Sequence, residues 1–197
     1  MEFERKGVDY SVTFREVPGA IAVLAPHGGG IEPGTSEIAD AIAGLYLSFY
    51  AFEGLKSKGN GRLHITSTRF DEPRCLALLQ NSCGALIIHG ESSDIQAVFI
   101  GGRNSLMRER LANVLTARNF PVMVHDNPDL QGANLLNICN HCGTQGGVQL
   151  ELSSGFRRIL FHNLATRSGR RVVMPRFMEF VTAVRIGLGI PEAVPGF

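Results

Sequence analysis

Ala20-Ile-Ala-Val-Leu-Ala-Pro-His27-Gly-Gly-Gly-Ile-Glu32-Pro-Gly-Thr-Ser-Glu37 is the stretch on which the fold turns. Six apolar residues run unbroken into a proline and a histidine. Three glycines and an acid follow, and then Thr-Ser-Glu opens an amphipathic segment. An apolar run of this length without polar alternation reads as a strand covered on both faces. The glycines let the chain turn sharply and keep the space around the histidine open. A buried strand, a tight loop and a helix make the repeating unit of an α/β fold. They also leave His27 and Glu32 at the C-terminal end of a strand, where open α/β sheets place their sites.

Working outward, further apolar runs predict strands over residues 48–52, 63–66, 85–89, 97–100, 121–125 and 148–152. Helical spacing predicts helices over 35–45, 72–81, 104–118, 153–164 and 175–188. The third helix is the clearest, because Leu106, Leu111, Val114 and Leu115 share a face behind an Asn104 cap. No repeat, low-complexity tract or linker divides the 197 residues. The expected fold is a single α/β domain over residues 1–197, a mixed β-sheet of roughly six to eight strands flanked by helices.

Hydrophobic residues make up 44% and charged residues 19%, the balance of a soluble globular chain. No apolar stretch reaches the ~20 residues that cross a membrane. The opening MEFERKGVDYSVTF mixes both charges and lacks an apolar h-region, so a cytoplasmic chain without a secretory signal is expected, with release on cell lysis a later event. A net charge of +1 argues against nucleic-acid or membrane-surface partners. Residues 151–197, however, hold seven Arg against three Glu, a basic quarter that could steer an anionic substrate or lie on solvated helix faces. Cys139 and Cys142 form one C-x-x-C pair with no second pair, so reduced structural thiols are expected rather than a metal site. Cys75 and Cys83 are expected as small core residues of a helix.

Gly84-Ala-Leu-Ile-Ile-His89-Gly-Glu91 repeats the design of the first segment, an apolar strand ending in His-Gly. Two strand-end histidines and a carboxylate make a His₂Glu catalytic zinc set with a fourth position open. His-Gly-Gly-Gly also occurs as an oxyanion-hole run in serine esterases, but no Gly-x-Ser-x-Gly elbow is present. A phosphate loop is excluded because Gly-x-x-x-x-Gly-Lys-[Ser/Thr] is missing. In Val148-Gln-Leu-Glu151-Leu the polar residues alternate, so Gln149 and Glu151 share one strand face. On pattern alone Glu151 reads as an exposed strand residue, with a base facing a metal as the alternative.

HGGGIEPGTSE, then IIHG, then GGVQLELSSGFR together resemble the phage-type poly-γ-glutamate hydrolases, zinc enzymes with a carboxypeptidase-like fold. The resemblance extends over most of the chain. It implies one zinc ion on His27, Glu32 and His89, and it makes Glu151 the catalytic general base. The implied substrate is an anionic γ-glutamyl polymer or peptide. Such a substrate presents free carboxylates, which guanidinium groups bind in a two-pronged fashion. Arg103, at the end of the 97–100 strand, and Arg157, beyond Glu151, are the expected readers. Two alternatives stay open: a metallo-amidase for other γ-glutamyl or N-acylated amino acids, and a non-catalytic binder of acidic polymers.

His125 is the expected substitute should one ligand be misassigned. Glu37 is expected to favour the positive end of its helix. His64, His141 and His162 are expected to be structural or exposed. Asn137 and Asn140 are expected to hold turns or contact substrate.

Overall fold

Strands that are apolar on both faces need cover on both sides, and the computed structural model supplies it. It describes residues 4–144 and 146–190, so Met1–Phe3 of the N-terminal reading and Glu192 of the C-terminal charge count lie outside them. The strands are β1 Tyr10–Arg15, β2 Ile21–Gly29, β3 Ser48–Gly54, β4 Gly84–Glu91, β5 Val98–Gly101, β6 Val122–Met123 and β7 Val148–Ser153. They form a seven-stranded mixed sheet in the order β1-β3-β2-β4-β7-β5-β6. β3, β2, β4 and β7 run parallel at its middle, β1 is an antiparallel edge, and β5 runs antiparallel to β7.

The helices are α1 Thr35–Ala43, α2 Pro73–Gln80, α3 Ser105–Ala117, α4 Ser154–Leu160, α5 Arg167–Arg170 and α6 Pro175–Gly187. Alternate residues of each central strand face opposite layers. Val23, Ala25, Leu86, Ile88, Leu150 and Leu152 pack with α1, α3, α4 and α6, whereas Ala22, Leu24, Ala85 and Ile87 pack with Tyr50, Phe70 and α2. Each fully buried Leu or Ile contributes about 1.5–3 kcal/mol, so these two layers hold β2, β4 and β7 rigidly in register. The C-terminal ends of these three strands emerge side by side. Among the described residues, no helix is long and apolar enough to cross a membrane.

The expected strand at 63–66 does not form. Asn60–Leu63 is a short 3₁₀ turn, and the following residues make a loop whose polar groups serve neighbouring side chains instead of a ladder. β1 replaces it in the count: its Tyr-x-Val-x-Phe alternation is half-exposed, with Phe14 48% accessible, as befits an edge. β6 is only two residues long, and α4 stops at Leu160 rather than 164. Cys83 is exposed beyond the end of α2, where its N–H donates to the Ala20 carbonyl, so it is not a core residue.

Candidate metal centre and its cavity

The glycine run closes a turn that brings Glu32 back over His27. The Glu32 N–H donates to the His27 carbonyl at 2.7 Å, and Gly29 adopts φ +66 against the backbone of Gly54. A side chain at Gly29 would meet both strain and the β3 backbone. The turn sets Glu32 Oε1 3.0 Å from His27 Nδ1.

His89 arrives from β4, the neighbour of β2. Its Nδ1 lies 3.2 Å from His27 Nδ1 and 3.6 Å from Glu32 Oε2. Gly90 donates its N–H to Glu32 Oε2 at 2.8 Å, and a Cβ there would strike Glu32 and Arg157. One nitrogen of each ring and one Glu32 oxygen lie within 4.8 Å of one another, and the 3.2 Å between the two Nδ1 atoms is close to the ~3.3 Å edge of a tetrahedron with ~2.0–2.1 Å bonds. Two imidazole nitrogens facing each other at 3.2 Å need a proton or a cation between them. His27, Glu32 and His89 are thus the group that could hold a metal ion among the described residues.

The far nitrogens of both rings are engaged. His27 Nε2 lies 2.7 Å from the Ile65 carbonyl, and His89 Nε2 lies 3.0 Å from Ser67 Oγ. A carbonyl can only accept, so it fixes the proton on His27 Nε2 and leaves the Nδ1 lone pair for a cation. Ile65 lies within the segment expected as a strand, and Ser67 lies just beyond it. His64, from the same loop, stacks on His27 at 4.0 Å with Nε2 3.4 Å from Glu32 Oε1. Sequence reasoning missed this loop because a carbonyl and a serine carry no motif.

Glu151 pairs in register with His89 across β4 and β7 and is buried, 6% accessible, in the cavity wall. Gln149 donates to Glu151 Oε1 at 3.1 Å and accepts from Asn137 at 3.0 Å, which orients the carboxyl and leaves its second oxygen free of these bonds. Burial pushes Glu151 up to about 7, helped by Glu32 and Glu91 and opposed by His89. Burial would lower His89, but Glu151 and the hydrogen bond to Glu32 outweigh it and raise the ring to about 9. Burial depresses His27. Glu32, despite burial that raises it, is held well below the usual carboxylate range by hydrogen bonds from His27, His64 and His89. With no metal bound, these shifts favour an anionic Glu32 beside a protonated His89 and a neutral His27.

The cluster opens into a cavity of about 730 Å³ whose far walls are the 66–69 and 128–137 segments. Neither expected arginine enters it. Arg103 is exposed beside the start of α3 and is not part of the lining. Arg157 is buried, because α4 begins directly after β7 and turns the side chain beneath the centre. Its guanidinium donates to three carbonyls, Leu152 at 3.0 Å, Pro33 at 2.6 Å and Glu91 at 2.8 Å. Each lies one or two residues after Glu151, Glu32 or His89. Arg157 therefore ties together the three segments that carry the site, without reaching the cavity.

His125 packs on Phe99 away from the three donors. Glu37 is held by Arg170 at 2.6 Å. Asn140 bonds the Gly132 and Asn134 carbonyls and holds its loop, whereas Asn137 lines the cavity. Cys139 and Cys142 are buried free thiols. His162 is exposed and His141 half-buried.

The geometry can be set beside known proteins. UPF0714 protein YndL of Bacillus subtilis (strain 168) is 41% identical over 174 residues, covering 87% of this chain and 68% of that protein. SPbeta prophage-derived UPF0714 protein YoqZ of the same strain is 39% identical over 83% of this chain and 59% of its own length. This chain therefore spans only part of those relatives. The solved structure of a bacteriophage poly-gamma-glutamate hydrolase matches with a TM-score of 0.89 at 32% identity, covering 93% of this chain and 89% of that one. A structure of YndL in an apo, zinc-free form matches with a TM-score of 0.87 at 39% identity, covering 92% and 90%. The family model for poly-gamma-glutamate hydrolase matches residues 1–183, and the chain belongs to that family.

Proposed function

We propose that this chain hydrolyses γ-glutamyl amide bonds in poly-γ-glutamate at a zinc centre on His27, Glu32 and His89, with Glu151 as general base. The observation that carries the reading is the convergence of two buried imidazoles and the half-buried Glu32 carboxylate, their ligand atoms within 4.8 Å of one another, with Glu151 in register beside His89. Two imidazoles and one carboxylate suit zinc, and a fourth position facing the cavity suits a catalytic rather than a structural site. When bound, the metal would polarise the scissile carbonyl and lower the pKa of water at the site to about 7.

The protein's residues do the rest. Glu151 takes a proton from the attacking water on the oxygen that Gln149 leaves free, and the water oxygen bonds to the amide carbon. The C–N bond then breaks, and Glu151 returns the proton to the departing amine. Its raised position near 7 suits both tasks, because it accepts and donates at neutral pH. Ile65 and Ser67 keep both Nδ1 atoms aimed at one point.

The test combines metal analysis with polymer shortening. The zinc-loaded protein should shorten poly-γ-glutamate and lose that activity to chelator. Glu151→Gln should keep zinc and lose turnover by roughly 10²–10⁴-fold, whereas His89→Ala should lose zinc. A fully active Glu151→Gln variant would sink the base assignment. Turnover of N-acylated amino acids with the polymer left intact would favour the metallo-amidase reading instead.

A further inference from the structure

Among the described residues, the cavity that holds Glu151 and the three candidate ligands has one Arg or Lys in its wall, Arg69. Its surroundings differ from those of the two arginines expected from spacing. Arg157 has all its reach taken by carbonyls beneath the site, and Arg103 stands outside it. The guanidinium of Arg69 makes no hydrogen bond or ion pair among the described residues, and its side chain is exposed.

The backbone beneath Arg69, by contrast, is pinned on both sides. Its N–H donates to the Thr66 carbonyl at 2.8 Å and closes a turn. Ser67, inside that turn, reaches His89 with its hydroxyl and accepts from the Ile138 N–H at 3.0 Å through its carbonyl. Phe70, the next residue, is buried edge-on against His27 at 6.2 Å. A cation on a base fixed to the metal ligands, with an unengaged head in the same cavity, is built to receive an anion at a set distance from the reacting bond. The other charged wall residues outside the centre, Glu91 and Asp129, repel an anion and leave Arg69 as its receptor.

We propose that Arg69 is the substrate-carboxylate receptor of this site, pairing its guanidinium with the free α-carboxylate of a γ-linked glutamyl residue next to the scissile bond. The proposal rests on the γ-glutamyl reading above and supplies the residue that distinguishes a γ-linked from an α-linked chain. In a γ-linked chain every residue keeps its α-carboxylate, whereas an α-linked chain presents that carboxylate only at its end. A two-pronged guanidinium suits a carboxylate better than an ammonium does.

The test uses the full chain loaded with zinc and two polymers, poly-γ-glutamate and its α-carboxyl methyl ester. Arg69→Ala should lower kcat/KM on the free acid on the order of 10- to 100-fold, the worth of a charge-assisted hydrogen bond. Arg69→Lys should recover part of it, and zinc content should not change. On the ester, wild type and Arg69→Ala should be equal. Equilibrium binding of poly-γ-glutamate to Glu151→Gln, with and without Arg69→Ala, gives a readout independent of turnover. Cleavage and binding that are both indifferent to Arg69 overturn the proposal and leave the hydrolase reading standing. Binding that depends on Arg69 without cleavage supports the receptor and removes the hydrolase. A loss on Arg103→Ala with none on Arg69→Ala returns the role to the residue expected from sequence.

Discussion

Replacing Arg157 with leucine removes a cation that fills no part of the cavity, yet both stability and metal binding should suffer. Arg157 is 4% accessible, and its guanidinium donates at 2.6, 2.8 and 3.0 Å to the carbonyls of Pro33, Glu91 and Leu152. Hydrogen bonds to a charged group contribute about 1.5–3 kcal/mol each, net of their exchange with water, so three set an upper bound of about 5–9 kcal/mol. Neighbouring bonds to one group are not additive, and the leucine variant no longer has to bury a cation, so a loss of about 2–4 kcal/mol is expected. That is a large fraction of the ~5–15 kcal/mol that holds a domain folded. Urea unfolding of the metal-free variant should show a lower midpoint with an unchanged slope. Because the three carbonyls follow Glu32, His89 and Glu151, zinc affinity should also fall by roughly 10–100-fold, as for loss of a ligand's outer support. Arg157→Lys keeps the charge as a compact point and cannot span three carbonyls, so it should recover less of the zinc affinity than of the stability. A leucine variant with wild-type midpoint and wild-type zinc affinity would refute the reasoning.

Two further outcomes are expected. The metal-free protein should lose stability as pH rises from about 7 to 9, because the folded state holds His89 at about 9 against an ordinary 6.5, and that contribution is lost as the ring deprotonates. Glu151 acts with the same sign between its ordinary 4.5 and about 7, so Glu151→Gln should flatten the lower part of the profile; urea midpoints independent of pH from 5 to 9 would contradict both assignments. Ser67→Ala should weaken zinc binding by about tenfold with little effect on the unfolding midpoint, since it removes only the support of His89 Nε2; competition with a coloured chelator reads this directly, and unchanged affinity would remove Ser67 from the centre.

The legible parts of the chain were those whose chemistry is local. β2, β4 and β7 are apolar on both faces, so their runs stand out, and their terminal His27, His89 and Glu151 come with them. Glu32 was legible because a glycine turn has few ways to close. β1 was missed because an edge strand is half-exposed and its alternation is weak. The strand expected over 63–66 is a loop that continues to Arg69, whose role is spread over a carbonyl, a hydroxyl and a ring stack, and none of these leaves a periodicity. The arginines failed for a geometric reason: distance from a strand end does not say which side of the sheet a side chain takes. Arg157 follows β7 so closely that α4 turns it under the site, and Arg103 points to solvent.

The spacing of the donors along the chain has a thermodynamic consequence. His27 and His89 are 62 positions apart, and their Nδ1 atoms meet only because β2 and β4 are neighbours in the folded sheet. An unfolded chain holds no such pair, so zinc held there would be a ligand of the native state alone. At a free concentration one hundred times its Kd it would add about 2.7 kcal/mol to the unfolding free energy. The melting temperature should therefore climb with zinc and fall with chelator, which makes the ion a reporter of whether β2 and β4 are paired.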